Sequence, residues 1–186
     1  MTHPRTILVD GYNVSRNTPG MRPEDGVRLA TARENLLAMV RSRFRGTPHR
    51  VVVVFDGDGD RETCEPLKGL PRGQCIFTQR GMLADAVIVR LNAEASAAGQ
   101  DVVVCTNDLD VRKNTAPHGA KHASVAHLSQ SLNAPDKYTE KRLKHSSYVR
   151  RQLEGSDDDD EPRAHPRKGN PRRAPKKRRG QGERLW

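Results

Sequence analysis

The chain has 186 residues, room for one ordinary domain and a tail, and a net charge of +10. No apolar run approaches the ~20 residues that cross a bilayer, and Met1-Thr2-His3-Pro4-Arg5 runs straight into a strand with no basic-then-apolar leader, so a cytoplasmic protein is expected. Cys64, Cys75 and Cys105 are odd in number and contain no Cys-x-x-Cys pair, which argues for buried thiols and against a zinc site built with His118, His122 and His127.

Along the chain the elements alternate. Thr6-Ile7-Leu8-Val9 reads as a strand over about 5–9, leading into Asp10-Gly11-Tyr12-Asn13. Leu29, Leu36, Val40 and Phe44 recur at near-helical spacing and predict a helix over 28–44, stopped by Gly46-Thr47-Pro48. Val51 to Phe55 gives a strand over 50–55 that leads into Asp56-Gly57. Residues 57–73, rich in Gly, Asp, Pro and Arg, read as a long loop, and a third strand near 74–78 precedes a turn ending at Ala84-Asp85. An alanine-rich helix over 83–97 would turn Val87, Leu91 and Ala95 inward. Gly99-Gln100-Asp101 then connects to a strand over 102–105, followed by Thr106-Asn107-Asp108. A short helix near 108–115, a strand near 121–126 and a basic helix over 136–153 complete a domain spanning 1–154. Continuous β-branched runs belong to strands buried on both faces, and alternating elements with short turns imply a right-handed, mostly parallel α/β sandwich.

Residues 155–186 have a different character. An acidic run, Asp157-Asp158-Asp159-Asp160-Glu161, precedes a stretch from Pro162 to Trp186 with ten Lys and Arg against Glu183 alone, which accounts for nine of the ten net positive charges. With almost nothing to bury, this segment is expected to be disordered. Clustered Lys and Arg release counterions from phosphates, so a polyanion-binding role is favoured over a merely solubilising one.

Four strand ends lead into acids, and ligands of open α/β sheets bind beyond the carboxyl ends of the strands. Like charges gathered there call for a hard cation with oxygen ligands. Phosphodiester cleavage needs an activated water and charge compensation on the phosphoryl oxygens, both of which Mg²⁺ or Mn²⁺ supplies. Asp10, Asp85 and Asp108 are the expected metal ligands and, with Asp56, the expected catalytic residues. The ordinary alternative for Asp85 is an acid placed to suit a helix N-terminus. Asn13 suits fixing a metal water, Asp10 or a substrate phosphate. Asp110, if helical, would point elsewhere.

Three rival signatures fail on detail. Asp56-Gly57-Asp58 imitates the Asp-x-Asp nucleophile of haloacid-dehalogenase-type phosphatases, but it is not on the first strand and no Gly-Thr follows. As an EF-hand loop, the same run has Arg61 at the glycine position and Leu67 at the glutamate position. No nucleotide-binding glycine loop follows a strand.

Ile7-Leu8-Val9-Asp10-Gly11-Tyr12-Asn13-Val14, Val53-Val54-Phe55-Asp56-Gly57, Ala84-Asp85 and Thr106-Asn107-Asp108 occur in the order seen in the YacP-like branch of the NYN family, which resembles PIN-domain nucleases in fold. The resemblance covers about residues 5–153. It implies a PIN-like three-layer sandwich and a metal-dependent endoribonuclease, or an RNA-binding module on the same fold. Met82-Leu83-Ala84-Asp85 stands where the family usually has Glu-Thr-Ala-Asp, and Thr106-Asn107-Asp108 where it often has Ser-Asp or Thr-Ser-Asp. RNA would approach over the acidic edge past Arg16, Arg22, Arg61, Lys68, Arg72, Arg80 and Arg112. Tyr12 either stacks a base, an interaction worth ~1–3 kcal/mol, or packs against the first helix. The basic helix and tail suggest docking on structured RNA, a ribosome or another ribonucleoprotein.

Overall fold

Strands that are apolar along their whole length need a sheet covered on both faces, and the computed structural model, which describes residues 3–134, supplies one. Its strands are β1 (Thr6–Asp10), β2 (Arg50–Gly59), β3 (Thr63–Pro66), β4 (Gly73–Gln79), β5 (Val102–Cys105) and β6 (Lys121–Ala123). They lie in the order β3-β4-β2-β1-β5-β6, parallel throughout except where β3 runs antiparallel to β4. The helices are α1 (Gly11–Asn17), α2 (Leu29–Phe44), α3 (Ala84–Ala97), α4 (Leu109–Thr115) and α5 (Val125–Asn133).

The strand period of two sorts the side chains into two cores. Ile7, Val9, Val51, Val53, Phe55, Val103 and Cys105 face α1, α2 and α5, packing with Val14, Leu36, Val40, Phe44 and Leu128. Leu8, Val52, Val54, Ile76, Val102 and Val104 face α3 and α4, packing with Val87, Ile88 and Val111. The result is the expected three-layer, mostly parallel α/β sandwich. Cys75 and Cys105 are buried as expected, and burial pushes both thiols up to about 12; Cys64 is exposed. Among the described residues, no helix is long and apolar enough to cross a membrane.

Several local expectations need correction. Residues 57–73 are not one long loop: β2 continues to Gly59, and β3 returns as an edge strand pairing Thr63 with Phe77. All four β3 residues are exposed, so no apolar pattern announced it. The strand expected over 121–126 stops at Ala123, because Ser124 caps α5 by accepting the His127 N–H at 3.2 Å. Leu29 is 45% exposed; the buried stripe of α2 is Ala32, Leu36, Val40 and Phe44. The helix expected over 136–153, the boundary at 154 and the tail over 155–186 lie outside the described residues.

One backbone approach constrains the sheet beside the acidic edge. The Gly57 N–H donates to Thr78 Oγ1 at 3.1 Å, and a Cβ on Gly57 would overlap the Thr78 carbonyl oxygen, which cannot swing aside as a side chain would. Gly57→Ala is therefore expected to cost about 1–3 kcal/mol in urea unfolding. Gly59→Ala, where the added methyl meets the Arg61 carbonyl at an ordinary 3.6 Å, should stay within about 0.5 kcal/mol. Equal losses at both positions would show that the β2–β4 approach is not the constraint.

Candidate active site

β1 lies inside the sheet, with β2, β4 and β3 on one side and β5 and β6 on the other, so the crevice between the carboxyl ends of β1 and β5 is a topological switch point. Asp10 ends β1, and because Val9 pairs with Cys105, Thr106 stands level with it at the end of β5. β1 passes directly into α1 and β5 reaches α4 through the turn Thr106–Asp108: Asp10 caps α1, accepting the Asn13 N–H at 3.1 Å, and Asp108 caps α4, accepting the Asp110 and Val111 N–H groups at 2.7 and 3.3 Å.

A single buried hydroxyl joins the two acids. Thr106 Oγ1 donates to Asp10 Oδ2 at 3.2 Å and accepts the Asp108 N–H at 3.0 Å. A second relay runs through amides. Asn13 Oδ1 accepts the Asn107 N–H at 2.9 Å, and Asn107 Oδ1 accepts the Val125 N–H at 3.0 Å, tying α1, the β5 turn and α5 together. Thr106 and Asn107 had no individual role in the sequence reading. The only signal was a polar triplet at the end of an apolar strand.

Asp56 and Asp85 enter from the other side. Asp10 pairs with Val54, so Asp56 reaches two residues further on the neighbouring strand, where the β2–β4 register shifts between Phe55 and Gly59. Asp56 Oδ1 accepts the Ala84 N–H at 2.7 Å and thereby caps α3, whose own cap position holds Leu83 with no acceptor. That bond fixes the helix turn carrying Asp85. The alternative reading of Asp85 as a helix N-terminal acid also holds in part, since it sits in the first turn of α3.

The four acids share one electrostatic field. Asp10 is 6% exposed, and burial pushes its carboxyl up to about 6, with the charges of Asp85 and Asp56 adding to the rise against the opposing hydrogen bonds from Asn13 and Thr106. Asp85 is raised too, by burial first and then by Asp108, Asp56 and Asp110. Asp110, expected to point elsewhere, contributes to that field, although its side chain is exposed and lies 3.4 Å from Lys113. Oxygen donors crowded with like charge suit a hard cation. Among the described residues, however, no three His, Cys, Asp or Glu side chains are placed to enclose one. This arrangement fits an ion that keeps most of its water and takes one or two carboxylates, as Mg²⁺ does, better than a closed protein cage.

The expected RNA contacts divide. Tyr12 is 9% exposed and lies on α1 itself, so instead of packing against the first helix it sets its ring edge-on to Phe55 of β2, with the ring centres 5.0 Å apart. Arg16 is exposed, its guanidinium 5.7 Å from the centre of the Tyr12 ring. Arg80 donates from Nε and Nη2 to the Asp58 carbonyl at 3.1 and 2.9 Å and keeps most of its side chain in solvent. Arg112 is half-buried, its Nε sealed without a partner, and close enough to His122 to help lower that imidazole after burial does. Arg72 does not rim the acidic edge. It lines a cleft at the amino end of the sheet with Arg5 and Arg50, while Lys68 lines another cleft together with Arg33 and Arg41 of α2.

A mostly parallel three-layer sandwich with carboxylates gathered at its switch point is the PIN-like architecture. The chain belongs to the YacP-like NYN domain family, whose model matches residues 7–163. It is similar to YacP of Bacillus subtilis (strain 168), with 26% identity over 144 residues, covering 74% of this chain and 81% of that one. Two solved structures share its fold. The crystal structure of Rae1 (YacP) from Bacillus subtilis superposes with a TM-score of 0.55 at 24% identity, over 81% of this chain and 84% of that one. A tryptophan-to-leucine variant of the same protein gives 0.58 at 23%, over 82% and 86%.

The raised Asp10 carboxyl has a consequence for stability. Its folded value of about 6 exceeds the unfolded 3.8, so between these values the folded chain keeps a proton that the unfolded chain has lost. Stability therefore falls as pH rises through that window, by at most about 3 kcal/mol. Asp10→Asn keeps an oxygen for the Asn13 N–H and removes the charge. In EDTA it should be more stable than wild type by about 1–3 kcal/mol at pH 7.5, with the difference shrinking towards zero at pH 4. Urea melts at the two pH values decide this, and a pH-independent difference would refute it.

Proposed function

We propose that this chain is a metal-dependent endoribonuclease acting at the carboxylate edge. The observation that carries this reading is the Asp10 carboxylate, sealed at the switch point and pushed up to about 6 by burial and by the neighbouring charges of Asp85 and Asp56. Membership of the YacP-like NYN family supports it. Of Asp10, Asp85 and Asp108, one or two would hold Mg²⁺ or Mn²⁺ directly and the rest through the ion's own water. When bound, the ion supplies positive charge for the phosphoryl oxygens and a water of lowered pKa. Asp56 acts as a positioning residue, setting the turn of α3 from which Asp85 projects. Thr106 keeps Asp10 and Asp108 in fixed relation, so their geometry does not have to reorganise when substrate arrives. The reading places the protein in the cytoplasm, with RNA or a ribonucleoprotein such as the ribosome as partner, captured partly through the basic residues 162–186.

A second reading is favoured by Asp56 being spent on a helix cap and by Met82 at the turn before Asp85: a module that binds RNA without cutting it. Labelled single-stranded RNA incubated with the full chain separates the two. We expect cleavage in Mn²⁺, none in EDTA, and none for Asp10→Asn, together with a Mn²⁺-induced rise in melting temperature that Asp10→Asn abolishes. RNA that is bound but intact in both Mg²⁺ and Mn²⁺ establishes the second reading.

Deleting residues 162–186 removes nine of the ten net positive charges. RNA affinity should fall and the slope of log K against log salt should become shallower by ~0.7 for each phosphate no longer neutralised, while cleavage at saturating RNA persists. Filter binding of both forms across a salt series checks this, and an unchanged slope would confine RNA binding to the remaining chain.

A further inference from the structure

Exposed large apolar side chains are informative when they gather beside polar chemistry. Among the described residues those most exposed are Leu29, Met82, Leu83 and Leu109, and the last three border the acidic edge. Leu83, 64% exposed, occupies the cap position of α3, directly before the turn of Asp85; Leu109, 65% exposed, follows Asp108 as the first residue of α4. A helix cap is ordinarily Ser, Thr, Asp or Asn. Here Asp56 performs the capping from β2, which frees position 83 to carry an apolar side chain into solvent. The turn that presents it is fixed, since Thr78 Oγ1 donates to the Met82 carbonyl at 2.6 Å. Leu83 therefore stands exposed on a rigid turn.

Met82 and Leu83 line a cleft of about 760 Å³ with Gln79, Arg80, Asp85 and Asn114. Asp85 is common to this cleft and to the carboxylate edge, so the two are continuous. The lining offers apolar surface from Met82 and Leu83, amides on Gln79 and Asn114 that can both donate and accept, and the Arg80 guanidinium. An apolar face, a hydrogen-bonding edge and an adjoining anion are the three features of a nucleotide.

We infer that this cleft seats the base of a nucleotide adjoining the phosphate at the carboxylate edge, with Met82 and Leu83 against the base face. The inference rests on the RNA reading of the same edge and adds a positioning subsite to it. Gln79 and Asn114 each present a donor and an acceptor, so the cleft selects no single base. It orients the strand by holding any base that lies one step from the acids.

Met82 supplies its own probe. The full chain carries Met1, Met21, Met39 and Met82, and labelling with ¹³C-methyl methionine gives each a separate NMR signal. Titration in Mg²⁺ with a five-nucleotide single-stranded RNA whose backbone linkages resist hydrolysis, so that nothing is cut, should move the Met82 methyl by ring current and leave Met21 and Met39 in place. An abasic ribose-phosphate chain of equal length should not move it. Leu83→Ser, at a solvent-exposed position, should weaken RNA binding about fivefold and leave the abasic chain unaffected. RNA that binds without moving Met82 overturns the inference and leaves the RNA reading standing, with another macromolecule then the candidate for this surface. RNA that fails to bind at all removes both.

Discussion

The Asp10 carboxylate is almost sealed from solvent, yet it accepts a hydrogen bond at each oxygen, one from a helix N-terminus and one from a buried threonine. Much of the carboxyl edge is arranged around holding that group. A buried carboxylate is costly unless it is hydrogen-bonded or meets positive charge. The two bonds relieve part of the cost, and the remainder appears as the raised carboxyl. The Thr106–Asp10 bond crosses from β5 to β1 and would break if the two strands slid past each other, while the Asp108 amide, two residues on, is held to the same hydroxyl. The same hydroxyl therefore sets the switch-point crevice and the spacing of two of its acids.

On the other side, Asp56 has a role that its position in the sequence disguises. Located on an exposed, irregular extension of β2, it reaches across to start α3, and Gly57 lets that extension approach β4 closely enough to do so. The placement of Asp85 is thus inherited from a strand residue 28 positions before the start of α3. It also relieves Leu83 of the capping role that its place in the chain would otherwise demand.

How much of this was legible depended on whether a residue's role was local. The runs Ile7–Val9, Val51–Phe55 and Val102–Cys105 announced a sheet covered on both faces because every side chain in them needs an apolar neighbour. Arg28 to Phe44 announced a helix by its period, though Leu29 fell off the buried stripe. The short helix α1 has seven residues and no long period, and β3 buries none of its four. Ser124 converts an apparent strand into a helix through one hydroxyl. The acids Asp10, Asp85 and Asp108 were recognisable because each follows a strand or begins a helix. Their partners were not. Thr106 matters through residues 96 positions away in one direction and two in the other, and no window of sequence contains that geometry. Tyr12 was ambiguous for the same reason: only the location of Phe55 decides that its ring is core.

The β3 strand has a further implication for how copies of this chain meet. As an exposed edge it presents a ladder of backbone groups that another strand could extend, which is the usual start of edge-to-edge aggregation. Pro66 removes one of the amides such a partner would need, and Glu65 sets a charge in its path, so the strand is shielded by composition rather than by cover. The gap in that shield is Cys64, a free and exposed thiol on the same four-residue edge. In oxidising solution a disulfide there would join two edges that their side chains otherwise keep apart, so a reductant protects the sheet as much as the sulfur.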